Sequence, residues 1–299
     1  MSNKPKVIAI VGPTASGKTS LSIKLAKEFS GEVISADSRQ VYRGLDLGTG
    51  KVTTAEMDGI AHHLLDVVDP MEVYTGANFK RDATKAIKTI VTNQHVPIVA
   101  GGTFFYLELL RGNMQAAPVE PNLVFRASLE AYTNEELLEK LQAKDSHRAE
   151  SIDPDNRRRL ERSLEIIETL GSVPEVQKTE SDYQWLLLGV DISKEQLHKN
   201  INTRLEDRLE QGMIEEVRDL LAGGITPKRL DDFGLEYRYI LKYIQQEISY
   251  AQMCELIETK SRQFAKRQLT WLKRYPEIVW VNPKDERAVL SITKQFLTQ

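Results

Sequence analysis

The stretch KVIAIVGPTASGKTSLSIKLAKEF, Lys6 to Phe29, constrains this chain more than any other. Lys6 to Val11 is a short apolar, β-branched run that reads as a buried parallel strand. From Thr19 the pattern turns helical, with Leu21, Leu25 and Phe29 on one side. Between them Gly12-Pro13-Thr14-Ala15-Ser16-Gly17-Lys18-Thr19 matches G-x-x-x-x-G-K-[ST]. Glycines let the main chain wrap an anion closely, and successive amides at a helix N-terminus point at it. Lys18 reaches the outer phosphate as a point charge, and the Thr19 hydroxyl suits Mg2+. A phosphate compound is therefore the expected ligand. Kinases and nucleotide hydrolases share this loop, so the motif alone leaves the reaction open.

The same alternation continues downstream. Glu32 to Ala36 (EVISA), Val96 to Ala100 (VPIVA) and Trp185 to Val190 (WLLLGV) read as core strands. Phe79 to Asn93 reads as a helix with Ala83, Ile87, Ile90 and Val91 inward, and a further helix runs from Gly101-Gly102-Thr103 through Leu110. Wholly apolar strands alternating with helices predict an α/β fold with a doubly wound parallel sheet. The texture changes near Gly112. A proline-containing stretch without period is followed by charged helical segments to about Leu170. Residues 115–183 are thus expected to form an all-helical lobe inserted into a core of residues 1–114 plus 184–299. Long helices are expected at Lys194 to Leu221 and Tyr250 to Arg274, and a late strand at Ile278 to Val281.

Composition narrows the function classes. With 28% charged and 41% hydrophobic residues, the 299-residue chain has the balance of an ordinary soluble protein. No apolar run approaches the ~20 residues of a membrane span, and Met1 to Lys6 lacks the pattern of a secretory leader. A single cysteine, Cys254, excludes an intramolecular disulfide and a cysteine zinc site. A cytoplasmic protein without membrane attachment is expected, acting as a monomer. The net charge of −3 means that any nucleic-acid binding must come from local basic patches.

Several residues carry candidate chemistry. The second strand ends in Asp37-Ser38-Arg39-Gln40, at the sheet edge that opens on the phosphate loop. A carboxylate there can take a proton from a nucleophile or hold a metal; a turn or capping Asp is the competing reading. Thr103 reaches the same edge. No Asp or Glu follows VPIVA, which argues against nucleotide hydrolysis. His62 and His63 adjoin on a strand and so face opposite ways, which suits a structural pair better than a shared metal. Arg157, Arg158, Arg159 and Arg162 crowd a helix start, and Arg262, Lys266 and Lys273 form one helical stripe with Arg267 beside it. Basic, amide and aromatic side chains interleaved on one helix fit RNA better than a plain solvated face.

Taken together, GPTASGKT, DSRQVYRGLDLGTGK (37–51), HHLLDVVDP (62–70), GGTFFY (101–106), NRRRLERSLEI (156–166) and RQFAKRQLTWLK (262–273) resemble the tRNA dimethylallyltransferase family. The resemblance implies a P-loop NTPase-like doubly wound sheet with an inserted helical lobe. It implies that Gly12 to Thr19 binds the pyrophosphate of dimethylallyl diphosphate, aided by Arg204 on the helix after WLLLGVD, with Mg2+ on Thr19. Asp37 is then the general base for an adenine exocyclic amine in the anticodon stem-loop of tRNA, assisted by Thr103. The tRNA contacts implied are Asp37, Ser38, Arg39, Gln40 and Thr103; Arg126; Arg158, Arg159, Leu160, Glu161 and Arg162; Phe233, Gly234, Leu235, Glu236, Tyr237 and Arg238; and Lys266, Arg267, Gln268, Leu269, Thr270, Trp271, Leu272 and Lys273.

The chain departs from the family pattern in two motifs, and its helical insert is shorter than the family's usual one. Phe104 and Phe105 stand where the family has Gly and Leu. Glu236 stands where it has Gly, and a carboxylate facing RNA phosphate is unfavourable. Two other activities use the same loop: prenylation of a free adenine nucleotide, and a small-molecule kinase reaction. A free nucleotide needs neither the basic helix nor the inserted lobe, and a kinase leaves the RNA-like helix unexplained.

Overall fold

One parallel sheet of six strands, in the order β3-β2-β4-β1-β5-β6, organises the computed structural model, which describes residues 4–175 and 177–299. The strands are β1 (Lys6–Val11), β2 (Gly31–Ser35), β3 (His62–His63), β4 (Val96–Ala100), β5 (Gln184–Val190) and β6 (Val279–Val281). β1 is central: Ile8 pairs with Ile98 of β4 on one side and with Leu186 of β5 on the other. Ile8, Ile10, Ile98 and Leu188 are wholly shielded from solvent. A central parallel strand is covered on both faces, which is why these strands read as unbroken apolar runs. Cutting one such side chain back to alanine costs about 2–5 kcal/mol.

Helices α1 (Lys18–Glu28), α2 (Thr54–Met57), α3 (Gly76–Thr92) and α4 (Phe104–Arg111) alternate with the first strands. Thr75 and Asn78 close a capping box at the start of α3, and its stripe Phe79, Ala83, Ile87, Ile90 is buried. From β1 the chain crosses by α1 to β2, leaving the place between them for β4, whereas β5 lies on the other side of β1. Order reverses at β1, so the C-terminal ends of β1, β2 and β4 open on one crevice.

The chain divides into two compact units: one runs to Arg111 and resumes at Glu180, the other is Gly112–Thr179. The division falls a few residues before each expected boundary, because the turn leading into β5 already belongs to the sheet unit. The second unit consists of α5 (Leu123–Leu129), α6 (Asn134–Lys144), α7 (Ser146–Ser151) and α8 (Arg157–Leu170), with no strand among its described residues. Asn122, Thr133, Asp145 and Asn156 cap these helices, and Leu137, Leu141, Leu160 and Leu164 form their core.

After β5 the sheet unit continues with α9 (Lys194–Glu210), α10 (Met213–Ala222), α11 (Pro227–Phe233), α12 (Leu235–Ile244), α13 (Tyr250–Leu272) and α14 (Glu286–Thr298). Periodicity suggests one helix from Lys194 to Leu221; the structure has two. Gly212 at φ 100° breaks them, in a left-handed conformation that glycine alone adopts readily. The break turns Met213 and Val217 into a second core with Tyr42, Leu45, Phe233, Tyr237, Ile240 and Met253.

Candidate active site

Consecutive residues between β1 and α1 build an anion cradle. Ala15 and Gly17 take positive φ, 59° and 92°, which turns neighbouring amides toward one side. Asn200 on α9 donates to the Ala15 carbonyl at 2.9 Å, and Lys18 Nζ donates to the Pro13 carbonyl at 2.7 Å. Burial first, and then the nearby Arg204 cation, push the Lys18 ammonium down to about 8, against the opposite pull of Asp37. The cradle lysine, Arg204 and Asp37 thus share one electrostatic neighbourhood. Ser16 is buried, and its hydroxyl has no hydrogen-bond partner among the described residues. Thr19 is exposed in the first turn of α1.

Asp37 and Thr103 come together as their strand ends suggest. The Ser38 amide donates to Thr103 Oγ1 at 3.0 Å, the Thr103 hydroxyl lies 3.3 Å from Ser38 Oγ, and the Arg39 amide donates to Asp37 Oδ1 at 2.9 Å. The other carboxylate oxygen, Oδ2, faces Gly102. Gln268 on α13 reaches this point: its Oε1 accepts from the Thr14 amide at 2.9 Å, and its Nε2 donates to the Gly102 carbonyl at 3.0 Å. Gln268 was expected to touch RNA; its side chain instead ties the basic helix to both the cradle and the Thr103 loop.

Arg204 closes the crevice from α9, together with a residue that sequence reasoning missed. Arg208 lies one helical turn on, and a Cβ on Gly50 would fall 1.8 Å from Arg204 Nη2 and 1.4 Å from Arg208 Nη2. Gly50, at φ 62°, is therefore required by its conformation and by the approach of both guanidinium groups. The spacing i, i+4 from Arg204 was the available signal for Arg208. Glu216 holds the Gly50 loop in place: its carboxylate accepts from the amides of Asp46, Leu47 and Gly48 at 3.0, 2.6 and 3.0 Å, and from the Tyr237 hydroxyl at 2.8 Å. Burial pushes the Glu236 carboxyl above its usual range, with Arg204 opposing, and pushes Arg204 below its own. Glu236 faces this arginine pair, with Oε1 3.7 Å from Arg208 Nη1. The carboxylate that was expected to oppose RNA thus has cations for neighbours.

The remaining RNA candidates divide. Lys266, Arg267, Thr270 and Lys273 are exposed on α13, whereas Ala265 and Leu272 are buried on its opposite side. Leu269 packs with Leu197, Ile201 and Ala265. Trp271 meets Phe104 edge-on with ring centroids 4.2 Å apart, so the unexpected Phe104 completes an aromatic cluster with Trp271 and Tyr275. Phe105 is exposed. Leu160, Phe233, Tyr237 and Leu272 need correction: their side chains lie in cores, because each falls on the apolar stripe of its helix. Leu235 and Gly234, at the start of α12, are half-buried. Arg238 is held by Asp231. In the helical unit Arg126 and Arg162 converge on buried Glu165, Glu161 pairs with Arg157, and Arg158 and Arg159 are exposed in the first turn of α8.

His62 and His63 do not share a ligand. His63 Nε2 and His95 Nδ1 both meet Glu32, each at 2.6 Å, and His62 Nδ1 meets the Ile60 carbonyl. These pairings hold Glu32 below its usual range despite its burial. Among the described residues no group of three or more His, Cys, Asp or Glu can hold a metal ion. A metal at the cradle would need few protein ligands, as Mg2+ does when phosphate oxygens and water fill its sphere. The exposed Thr19 hydroxyl beside Lys18 fits that donor set.

With this geometry in view, similarity to known proteins becomes informative. The model of the IPP transferase family matches residues 40–275. A tRNA dimethylallyltransferase from Alkaliphilus metalliredigens is 38% identical over 95% of this chain and 93% of its own length. One from Staphylococcus carnosus is 40% identical over 93% of this chain and 91% of its own length. The crystal structure of a tRNA isopentenylpyrophosphate transferase from Bacillus halodurans matches with a TM-score of 0.73 and 33% identity, covering 99% of this chain and 96% of that one. A eukaryotic dimethylallyltransferase acting on tRNA matches with a TM-score of 0.79 and 28% identity, over 98% of this chain and 80% of that one. The sheet is the P-loop NTPase-like α/β fold of these structures.

Proposed function

This chain belongs to the IPP transferase family, and on that premise we infer that it transfers a dimethylallyl group from dimethylallyl diphosphate to an adenosine of tRNA, on the exocyclic amine of the nucleotide 3′ of the anticodon. The allylic carbon–oxygen bond breaks and its electron pair leaves with diphosphate. The amine lone pair forms the new carbon–nitrogen bond, and the amine proton goes to Asp37. The observation that carries this reading is the placement of the Asp37 carboxylate, after β2, and the cradle of Lys18, after β1, in one electrostatic neighbourhood at the same edge of the sheet, with the end of β4 between them.

Each residue then has a defined task. Amides of the loop from Ala15 to Thr19, with Lys18 and Arg204, draw negative charge onto the leaving diphosphate. Thr19 would hold Mg2+, which adds further charge neutralisation to the departing group. Thr103 fixes the Ser38 amide and so the turn that aims Asp37. The adenine must leave its stack to reach a carboxylate at the sheet edge, as in base flipping. The exposed cations Lys266, Arg267 and Lys273 on α13, and Arg158 and Arg159 of the helical unit, supply phosphate contacts. No helix among the described residues is long and apolar enough to cross a membrane. A tRNA substrate supports a cytoplasmic setting.

The test is transfer of labelled dimethylallyl diphosphate to unmodified tRNA or to AMP. Label should enter tRNA adenosine and not AMP. Asp37→Ala should lose about 10²–10⁴ in turnover while retaining tRNA binding. Label in AMP alone, or ATP turnover without transfer, would overturn the reading; a near-normal rate for Asp37→Ala would remove Asp37 as the base.

A further inference from the structure

Arg204 and Arg208 stand one turn apart on α9, and their Nη2 atoms lie within 2 Å of the same point above Gly50. The two guanidinium groups therefore touch. Two cations in contact with little water between them repel strongly. The carboxylate oxygen that meets Arg208 is Glu236 Oε1, at 3.7 Å, long for an ion pair, while Asp37 and Glu56 act on Arg204 from further off. Arg208 is 8% exposed, and its Nη2 is buried with no hydrogen-bond partner among the described residues. Buried donors without partners are rare; here one belongs to a guanidinium group in contact with a second. Asn200, one turn before Arg204 on α9, donates to the Ala15 carbonyl, so this helix lies against the anion cradle, and Arg204 depresses the Lys18 ammonium there.

We propose that Arg208 is a second diphosphate-binding arginine, paired with Arg204 over Gly50, and that Glu236 is the internal anion with which the diphosphate competes for the pair. The proposal rests on the prenyl-transfer reading and extends it. A diphosphate supplies enough acceptor oxygens for two forked guanidinium groups to donate to, and one carboxylate does not. Glu236 then has a purpose in the place where the family pattern has glycine: it keeps two touching arginines together on the folded protein. Without it Arg208 loses the carboxylate it meets.

The test is calorimetric titration of inorganic pyrophosphate with Mg2+ into the full chain, with tRNA affinity measured in parallel. Arg208→Met keeps much of the length and should weaken pyrophosphate binding about tenfold with tRNA affinity unchanged. Glu236→Gln removes the competing charge and should tighten pyrophosphate severalfold, although it lowers the melting temperature. A purely structural role moves both variants toward weaker binding. Unchanged pyrophosphate affinity in Arg208→Met, or unchanged or weaker affinity in Glu236→Gln, overturns the proposal. Should Arg208→Met fail to fold, the sign of the Glu236→Gln effect alone decides. Transfer to tRNA by the wild-type protein is scored separately. Opposite signs without transfer leave the arginine pair standing and remove the prenylation reading; transfer with the wrong signs does the reverse.

Discussion

The Thr14 amide of the anion cradle donates to Gln268 Oε1 on the basic helix α13, 2.9 Å away, and the same side chain donates onward to the Gly102 carbonyl. One amide group thus joins the residues expected to hold the leaving group, the loop that carries Thr103, and the surface proposed to face RNA. Gln268→Leu removes both bonds with little change in volume. At about 1 kcal/mol net for each bond, kcat/KM for the allylic diphosphate should fall about ten- to thirtyfold, with kcat and KM both affected. Steady-state kinetics with both substrates varied would show this; a change confined to tRNA KM would reduce Gln268 to a surface contact.

Lys18 makes the cradle sensitive to alkali. With its pKa held down to about 8 by burial and Arg204, it is charged below that pH and loses its proton above it. Pyrophosphate affinity should be level from pH 6 to 7.5 and decline as pH rises beyond 8, and Lys18→Met should flatten the decline. The sign for stability is the opposite. The unfolded chain holds this proton more tightly than the folded one, so the buried ammonium opposes folding at pH 7, and the opposition fades as pH rises toward the ordinary lysine value. Lys18→Met should therefore raise the melting temperature more at pH 7 than at pH 10.

Gly50 can be separated into its two roles by comparison with Gly44. Both have positive φ, 62° and 73°, but a Cβ on Gly44 meets nothing within 4 Å, whereas one on Gly50 collides with Arg204 and Arg208. Gly44→Ala should bring only the backbone cost of about 1 kcal/mol, a fall of about 2–4 °C in melting temperature. Gly50→Ala should cost more, and should weaken pyrophosphate binding at least about tenfold by displacing the arginines. Equal effects from the two substitutions would show that the arginines move aside freely.

Lys266 and Arg267 are exposed on α13, whereas Tyr237 is buried and bonded to Glu216. Replacing Lys266 and Arg267 together by alanine should weaken tRNA binding and reduce its salt slope by about two. Tyr237→Phe should cost about 1 kcal/mol of stability and leave the salt slope unchanged. Filter binding across a salt series distinguishes them, and a slope unaltered by the double replacement would take α13 out of the RNA surface.

Local pattern was enough to bring out the glycine-rich loop and the carboxylate proposed as the base. Gly12 to Thr19 are consecutive, and Asp37 and Thr103 directly follow apolar strands whose C-terminal ends must share an edge once the sheet is parallel. The order of strands and helices was legible for the same reason. Periodicity also separated the exposed cations of α13 from its buried side. It could not show that Gly212 splits the helix begun at Lys194, because a glycine inside a helical pattern is tolerated as often as it breaks one. Nor could it show that Phe233 and Tyr237 face a core, that Gln268 turns inward, or that Glu236 answers arginines. Those facts depend on which surface each helix meets. The contact between Gly50 and the arginines of α9 joins residues 154 positions apart for Arg204. A motif records what neighbours along the chain must do together; only the packed fold decides which distant charges share a space from which water has been removed, and there their pKa values, partners and pairings are set.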